Sequence, residues 1–199
     1  IAKVSDLLAV MAAAQPGHYL AFFPSYSYLQ QVWEDFTARY PDQPTLCQES
    51  AMDEGQRTEF LAQFLARDGK PLLGFAVLGG VFGEGVDLTG ESLIGVAVVS
   101  PGLPQIGPRQ EQLRDYFEET RGAGFDYAYR YPGMNKVLQA AGRVIRTPQD
   151  RGVVLLIDDR FLAPDTRRLM PPHWEHLRVV DSADAWKDEL AAFWKKHES

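Results

Sequence analysis

Two stretches of this chain admit few folds. Leu93 to Val99 (LIGVAVV) and Val153 to Ile157 (VVLLI) are apolar almost without interruption. A strand with one wet face alternates apolar and polar residues. A strand apolar at nearly every position is covered on both faces, as in a parallel sheet lined by helices. The rest of the chain supplies those helices. Ala2 to Ala14 places Val4, Leu7, Leu8 and Met11 on one face, and Pro16-Gly17 stops it. Ser25 caps a helical segment through Arg39 with Leu29, Val32, Trp33 and Phe36 on its inner face. Glu54 to Asp68, Gln110 to Glu119, Asn135 to Arg146 and Asp184 to His197 also read as helices. His18 to Pro24, Thr45 to Glu49, Leu72 to Leu78 and His176 to Val180 read as further strands. The expected class is α/β, a mainly parallel sheet with helices on both faces. Ligands of such sheets sit beyond the carboxyl ends of the strands. The loops after Phe23, Leu78, Val99 and Ile157 are therefore the places to look.

Composition narrows the function. The chain has 199 residues, 45% of them hydrophobic and 24% charged, which excludes disorder, collagen and coiled coil. No apolar run approaches the roughly 18 residues of a membrane span, so no membrane partner is expected. The single cysteine, Cys47, excludes a disulfide framework and an all-cysteine metal site within the chain, and fits a reducing cytoplasm. Ile1 rather than Met opens the sequence and no signal peptide follows, so a fragment of a longer protein is expected. The net charge of −7 argues against a free-standing, non-specific nucleic-acid binder. Between Arg121 and Arg151, however, six basic residues (Arg121, Arg130, Lys136, Arg143, Arg146, Arg151) face only Asp126 and Asp150. That reads either as a phosphate-facing edge or as a solvated helix face. Gly122 to Tyr131 is the best candidate for a mobile insertion.

Several constellations could carry chemistry. The loop Gly79-Gly-Val-Phe-Gly-Glu-Gly-Val-Asp87 leaves a buried strand and lets a ligand approach its backbone. It is neither a dinucleotide fingerprint, since Leu88 stands where Gly or Ala is needed, nor a Walker A loop. On the helix Asn135 to Arg146, Gln139, Arg143 and Arg146 fall on one stripe beside the apolar stripe of Leu138, Ala141 and Ile145. Two arginines so spaced can clamp one anion. Gly142, costly in mid-helix, would let another backbone pass close. His173-x-x-His176 has too few companions for zinc. Asp158-Asp159 could hold Mg²⁺, or one of the pair could orient Arg160. The aromatics Tyr116, Phe117, Phe125, Tyr127, Tyr129 and Tyr131 belong either to a core or to a ligand path, and core is the expectation.

Gln139-Ala-Ala-Gly-Arg-Val-Ile-Arg146, followed by a strand ending Asp158-Asp-Arg-Phe161, resembles motif VI of superfamily 2 helicases of the XPD/DinG branch. Gly79 to Asp87 resembles motif V of that branch, and Phe22-Phe-Pro-Ser-Tyr26 its motif IV. The three lie in the right order and cover most of Tyr19 to Phe161. The resemblance implies a RecA-like (P-loop NTPase-like) second motor domain spanning 1–199, with 101–131 a candidate insertion.

It also implies roles. Arg146 matches the arginine finger that reaches the γ-phosphate, Arg143 its companion, and Gln139 the interface glutamine near the attacking water. Gly142 belongs to the same nucleotide-facing motif. Glu84, Gly85 and Asp87 match motif V residues that couple nucleotide to DNA. Ser25 and Tyr26, just past a strand end, are candidate contacts to DNA phosphate, with Tyr26 also a candidate stacking platform. ATP and Mg²⁺ would be shared with a first motor domain of the same polypeptide. An iron–sulfur cluster would belong to that parent and not to this chain. Single-stranded DNA is the expected partner, and a cytoplasmic monomer, DNA repair and inactivity of the isolated domain are the remaining expectations. Two readings compete: a catalytically inactive RecA-like interaction module, and a small-molecule α/β enzyme with Glu84 or Asp87 as general base.

Overall fold

Five strands, all parallel, form one sheet in the order β2-β3-β1-β4-β5 in this computed structural model. The structure describes residues 1–65, 71–80, 82, 93–145 and 150–197. The strands are β1 (His18–Phe23), β2 (Thr45–Cys47), β3 (Leu72–Val77), β4 (Leu93–Val99) and β5 (Val153–Ile157). The helices are α1 (Ala2–Ala14), α2 (Tyr26–Arg39), α3 (Glu54–Leu65), α4 (Pro108–Arg121), α5 (Tyr131–Ala141), the short α6 (Pro164–Arg167) and α7 (Ala183–His197).

The alternation of side chains along a strand divides the core into two layers. Tyr19, Ala21 and Phe23 of β1 pack on one face with α1, α2 and α7, through Leu8, Met11, Val32, Phe36 and Leu190. Leu20 and Phe22 face the other way, onto Phe60 and Phe64 of α3 and Met134, Val137 and Ala140 of α5. All six residues of β1 are buried, as a strand flanked on both sides and covered on both faces must be. This is the architecture that the unbroken apolar runs require.

Four local expectations are corrected. His176 to Val180 forms no strand. The chain there turns after a 3-10 segment at Pro172–Trp174, and Val179 is exposed, so no strand face is buried. Gly122 to Tyr131, expected to be loose, is largely helical. Gly122 closes α4 in the left-handed conformation (φ 62°), which glycine adopts without steric cost, and a π-helix at Asp126–Arg130 then runs straight into α5. Of the six aromatics in this region only Tyr129 is buried; Tyr116 and Phe125 are exposed, and α4 buries no residue at all. Tyr129 is buried as expected, whereas the others form a surface cluster of ring contacts, Tyr116 on Phe117 at 5.2 Å and Phe117 on Tyr127 at 4.3 Å. Finally, the helix expected to reach Arg146 ends at Ala141.

A cleft of about 370 Å³ lies between the edge strand β2 and α3, lined by Cys47, Met52 and Phe60 among others. Burial there, aided by Glu49, pushes the Cys47 thiol up to about 11. At pH 8 its thiolate is scarce, so alkylation by iodoacetamide should run roughly 100-fold slower than for an unperturbed thiol. Mass spectrometry against time at pH 8 checks this, and the rate should climb steeply as the pH approaches 11.

Candidate nucleotide and nucleic-acid interface

At the carboxyl edge of the sheet, three strand ends are tied together by one buried side chain. Gln48 follows β2 and is 4% exposed. Its backbone N–H donates to Phe75 O at 2.8 Å, extending the β2–β3 ladder. Its side-chain Oε1 accepts from the Val77 N–H at 2.8 Å, and its Nε2 donates to the Tyr26 hydroxyl at 2.9 Å. Tyr26 opens α2, and its ring is exposed. Ser25 is the N-cap of the same helix, its hydroxyl accepting from Tyr28 N–H. Part of the acceptor capacity of Ser25 is thus spent on the cap, while its hydroxyl proton is not.

Beside this group the chain turns at Gly79, whose φ of 75° lies in the left-handed region that favours glycine. The Lys136 side chain of α5 lies along this turn; a Cβ at Gly79 would come within 2.8 Å of its Cε. Lys136 also runs past Gly102, which follows β4. Its stem therefore bridges the exits of β3 and β4, the two neighbours of β1 in the sheet. Neither Gln48 nor the position of Lys136 announces itself in the sequence. Gln48 acquires its place only because β2 and β3 become neighbours, and Lys136 is one basic residue among six.

At the exit of β5, Asp158 accepts from the backbone N–H of Arg160 at 2.9 Å and from its guanidinium at 2.8 and 2.7 Å. This bidentate pairing holds the Asp158 carboxyl below its ordinary range. The same guanidinium donates to Ser100 Oγ at 2.7 Å, joining β4 to β5. Asp158 thus orients Arg160, as one of the two sequence readings had it. No three metal-ligating side chains converge among the described residues.

The second group of candidate residues stands apart from this edge. Helix α5 begins beside Pro101 and Gly102, at the carboxyl ends of the strands, where Gly133 packs against Pro101 O. It runs back across the sheet, and Val144 just beyond it packs against Gly152, at the opposite ends of the strands. Gln139 is exposed in its last turn, and Arg143 is half-buried with its Nε enclosed. Gly142 is the residue after the helix, with φ −63° and ψ −6°, a conformation open to any residue. The atoms nearest to a Cβ there belong to the carbonyls of its own preceding turn, so no second backbone approaches it among the described residues. The chain then tightens: Arg143 N–H donates to Ala140 O and Val144 N–H to Ala141 O, at 3.3 and 3.2 Å. Arg143 therefore lies beyond the α-helical wheel that carries Gln139. Arg146, Glu84, Gly85 and Asp87 lie outside the described residues. Of the local basic excess, Arg130 is paired with Asp126 and with Asp165.

The sheet and its two helical layers are those of a RecA-like helicase domain. An XPD helicase structure superposes with a TM-score of 0.61 over 83% of this chain and 29% of that one, at 20% identity. The C-terminal domain of the DEAD-box protein Dbp5 superposes at 0.53 over 95% of this chain and 88% of that one, at 12% identity. The chain belongs to the helicase C-terminal domain family, whose model matches residues 8–177.

Among curated relatives, regulator of telomere elongation helicase 1 of Bos taurus is 31% identical over 98% of this chain and 18% of its own length. ATP-dependent DNA helicase chl-1 of Caenorhabditis elegans is 30% identical over 77% of this chain and 19% of its own length. The chain thus spans about a fifth of the length of these relatives. The matched residues 8–177 include 101–131. Among the described residues no helix is long and apolar enough to cross a membrane.

Proposed function

We propose that this chain is the second motor domain of an ATP-dependent DNA helicase and completes an ATP site held mainly by a first motor domain of the same polypeptide. The observation that carries the reading is the separation of two groups of candidate residues on one domain. Tyr26, Gly79 and Lys136 gather at the carboxyl edge of the sheet, whereas Arg143 follows the far end of α5. A motor that spends nucleotide to move along a strand needs two such places.

In this reading Arg146 is the finger on the γ-phosphate, with Arg143 its companion, Gln139 beside the attacking water and Gly142 in the turn between them. Phosphoryl transfer spreads negative charge over the γ-oxygens, and guanidiniums placed there stabilise it. Glu84, Gly85 and Asp87 couple that event to the strand path, where Ser25 and Tyr26 meet single-stranded DNA. Mg²⁺ would lie with the first domain, since Asp158 is committed to Arg160. A chain whose one cysteine is Cys47 does not supply the ligands of an iron–sulfur cluster, so any such cluster belongs elsewhere in the polypeptide. DNA repair, a cytoplasmic setting and a monomeric state complete the proposal.

Steady-state ATP hydrolysis by the full polypeptide, with and without single-stranded DNA, tests this. Turnover should rise strongly with DNA, and the chain 1–199 alone should hydrolyse no measurable ATP. Robust hydrolysis by the isolated chain would overturn the shared site. Absence of DNA stimulation in the full polypeptide would favour an interaction module instead.

A further inference from the structure

The hydrogen bonds around Gln48 determine which way the proton of Tyr26 points. A backbone N–H can only donate, so the amide group of Gln48 that faces Val77 N must be its carbonyl oxygen. The amide nitrogen is then turned towards Tyr26, and an amide nitrogen can only donate. The phenol oxygen of Tyr26 must accept that bond. Its own O–H hydrogen is left over, and among the described residues no acceptor takes it. Gln48 is 4% exposed and held at three points, whereas Tyr26 is 37% exposed. The buried amide is therefore the fixed partner, and Tyr26, exposed at the carboxyl edge of the sheet, keeps a proton that no described residue accepts. Lys136, which crosses the adjoining Gly79 turn, makes no ion pair among the described residues and adds positive charge to the same edge.

We infer that Gln48 is a positioning residue that makes Tyr26 a dedicated hydrogen-bond donor to a phosphodiester oxygen of a bound single strand. This rests on the reading that a strand passes this edge, and it deepens that reading. It assigns the contact to the hydroxyl and the backbone of the strand rather than to the ring and a base, so binding here is indifferent to sequence. A glutamate at position 48 would still accept from Val77 N–H. It would also accept the Tyr26 proton, reversing that bond and withdrawing the donor from the strand, with both internal hydrogen bonds kept.

The test is the affinity of the full polypeptide for a fluorescent mixed-sequence single strand, read by anisotropy at 0.2 M salt. Tyr26→Phe keeps the ring and deletes the donor, and should weaken binding about tenfold, the usual scale for a hydrogen bond to a charged group. Gln48→Glu should weaken it comparably, and in the Tyr26→Phe background should cost little more. Additive losses from the two changes would overturn the relay from Gln48 through Tyr26. If Tyr26→Ala weakens binding while Tyr26→Phe binds as the parent does, the ring makes the contact. The inference then fails, while the strand path stands. If Tyr26→Ala also binds as the parent does, both fall.

Discussion

Arg146→Ala in the full polypeptide should lower DNA-stimulated ATP turnover by roughly 10³-fold or more, the scale on which an arginine supplied across a domain interface acts in related NTPases. ATP binding should persist, because in the proposed arrangement the first domain holds most of the nucleotide. The two effects are separable by following kcat together with the affinity for a fluorescent nucleotide. A fall in kcat at nearly constant affinity marks an interaction made in the transition state. Equal turnover in the variant would remove Arg146 from the γ-phosphate. The comparison gains from Arg143, which follows α5 by two residues and is half-buried. A companion arginine predicts a smaller but clear loss for Arg143→Ala.

The second large effect concerns the fold. Phe75 is fully buried in β3, with its ring nearly parallel to that of Phe23 at 5.6 Å and edge-on to Phe36 at 5.5 Å. It thereby clamps β3, β1 and α2 together at one point. Phe75→Ala should cost about 3–5 kcal/mol, the transfer of the ring plus the cavity it leaves. Against the roughly 5–15 kcal/mol that holds an ordinary domain together, this is a large share. The urea midpoint should fall sharply with little change in slope. Ile106, 84% exposed, serves as the control, and its replacement by alanine should stay within about 0.5 kcal/mol.

How far the sequence could be read depended on whether a signal was local. LIGVAVV and VVLLI announce doubly covered strands because burial on both faces leaves no polar position to hide. Ser25 could be named as a cap because its hydroxyl reaches only three residues ahead. The end of α5 is hidden because the apolar period continues through Ile145, while that residue is in fact exposed. Gly142 reads in the sequence as a close-approach residue, whereas it marks the stop. The strand expected at His176 to Val180 failed for a related reason. Its apolar residues never find a sheet edge to pair with, so strand character was a matter of composition alone. Gln48 was invisible. A glutamine between a strand and a loop carries no pattern, and its three hydrogen bonds depend on strands that are neighbours in space but distant in sequence.

The course of α5 has a mechanical meaning. Eleven residues of helix span about 16 Å, and this one is keyed into the sheet by Met134, Val137 and Ala140. In the proposed motor it would serve as a connecting rod rather than a hinge. There, a displacement at Arg143 as the γ-phosphate leaves would reach Lys136, in the middle of the helix, and the Gly79 turn beside it through the packed second half of α5. In the proposed motor the stroke length at the strand is therefore set by the rigidity of one short helix. Softening the helix between Lys136 and Ala141 should leave Lys136 and Arg143 chemically intact and the engine slipping.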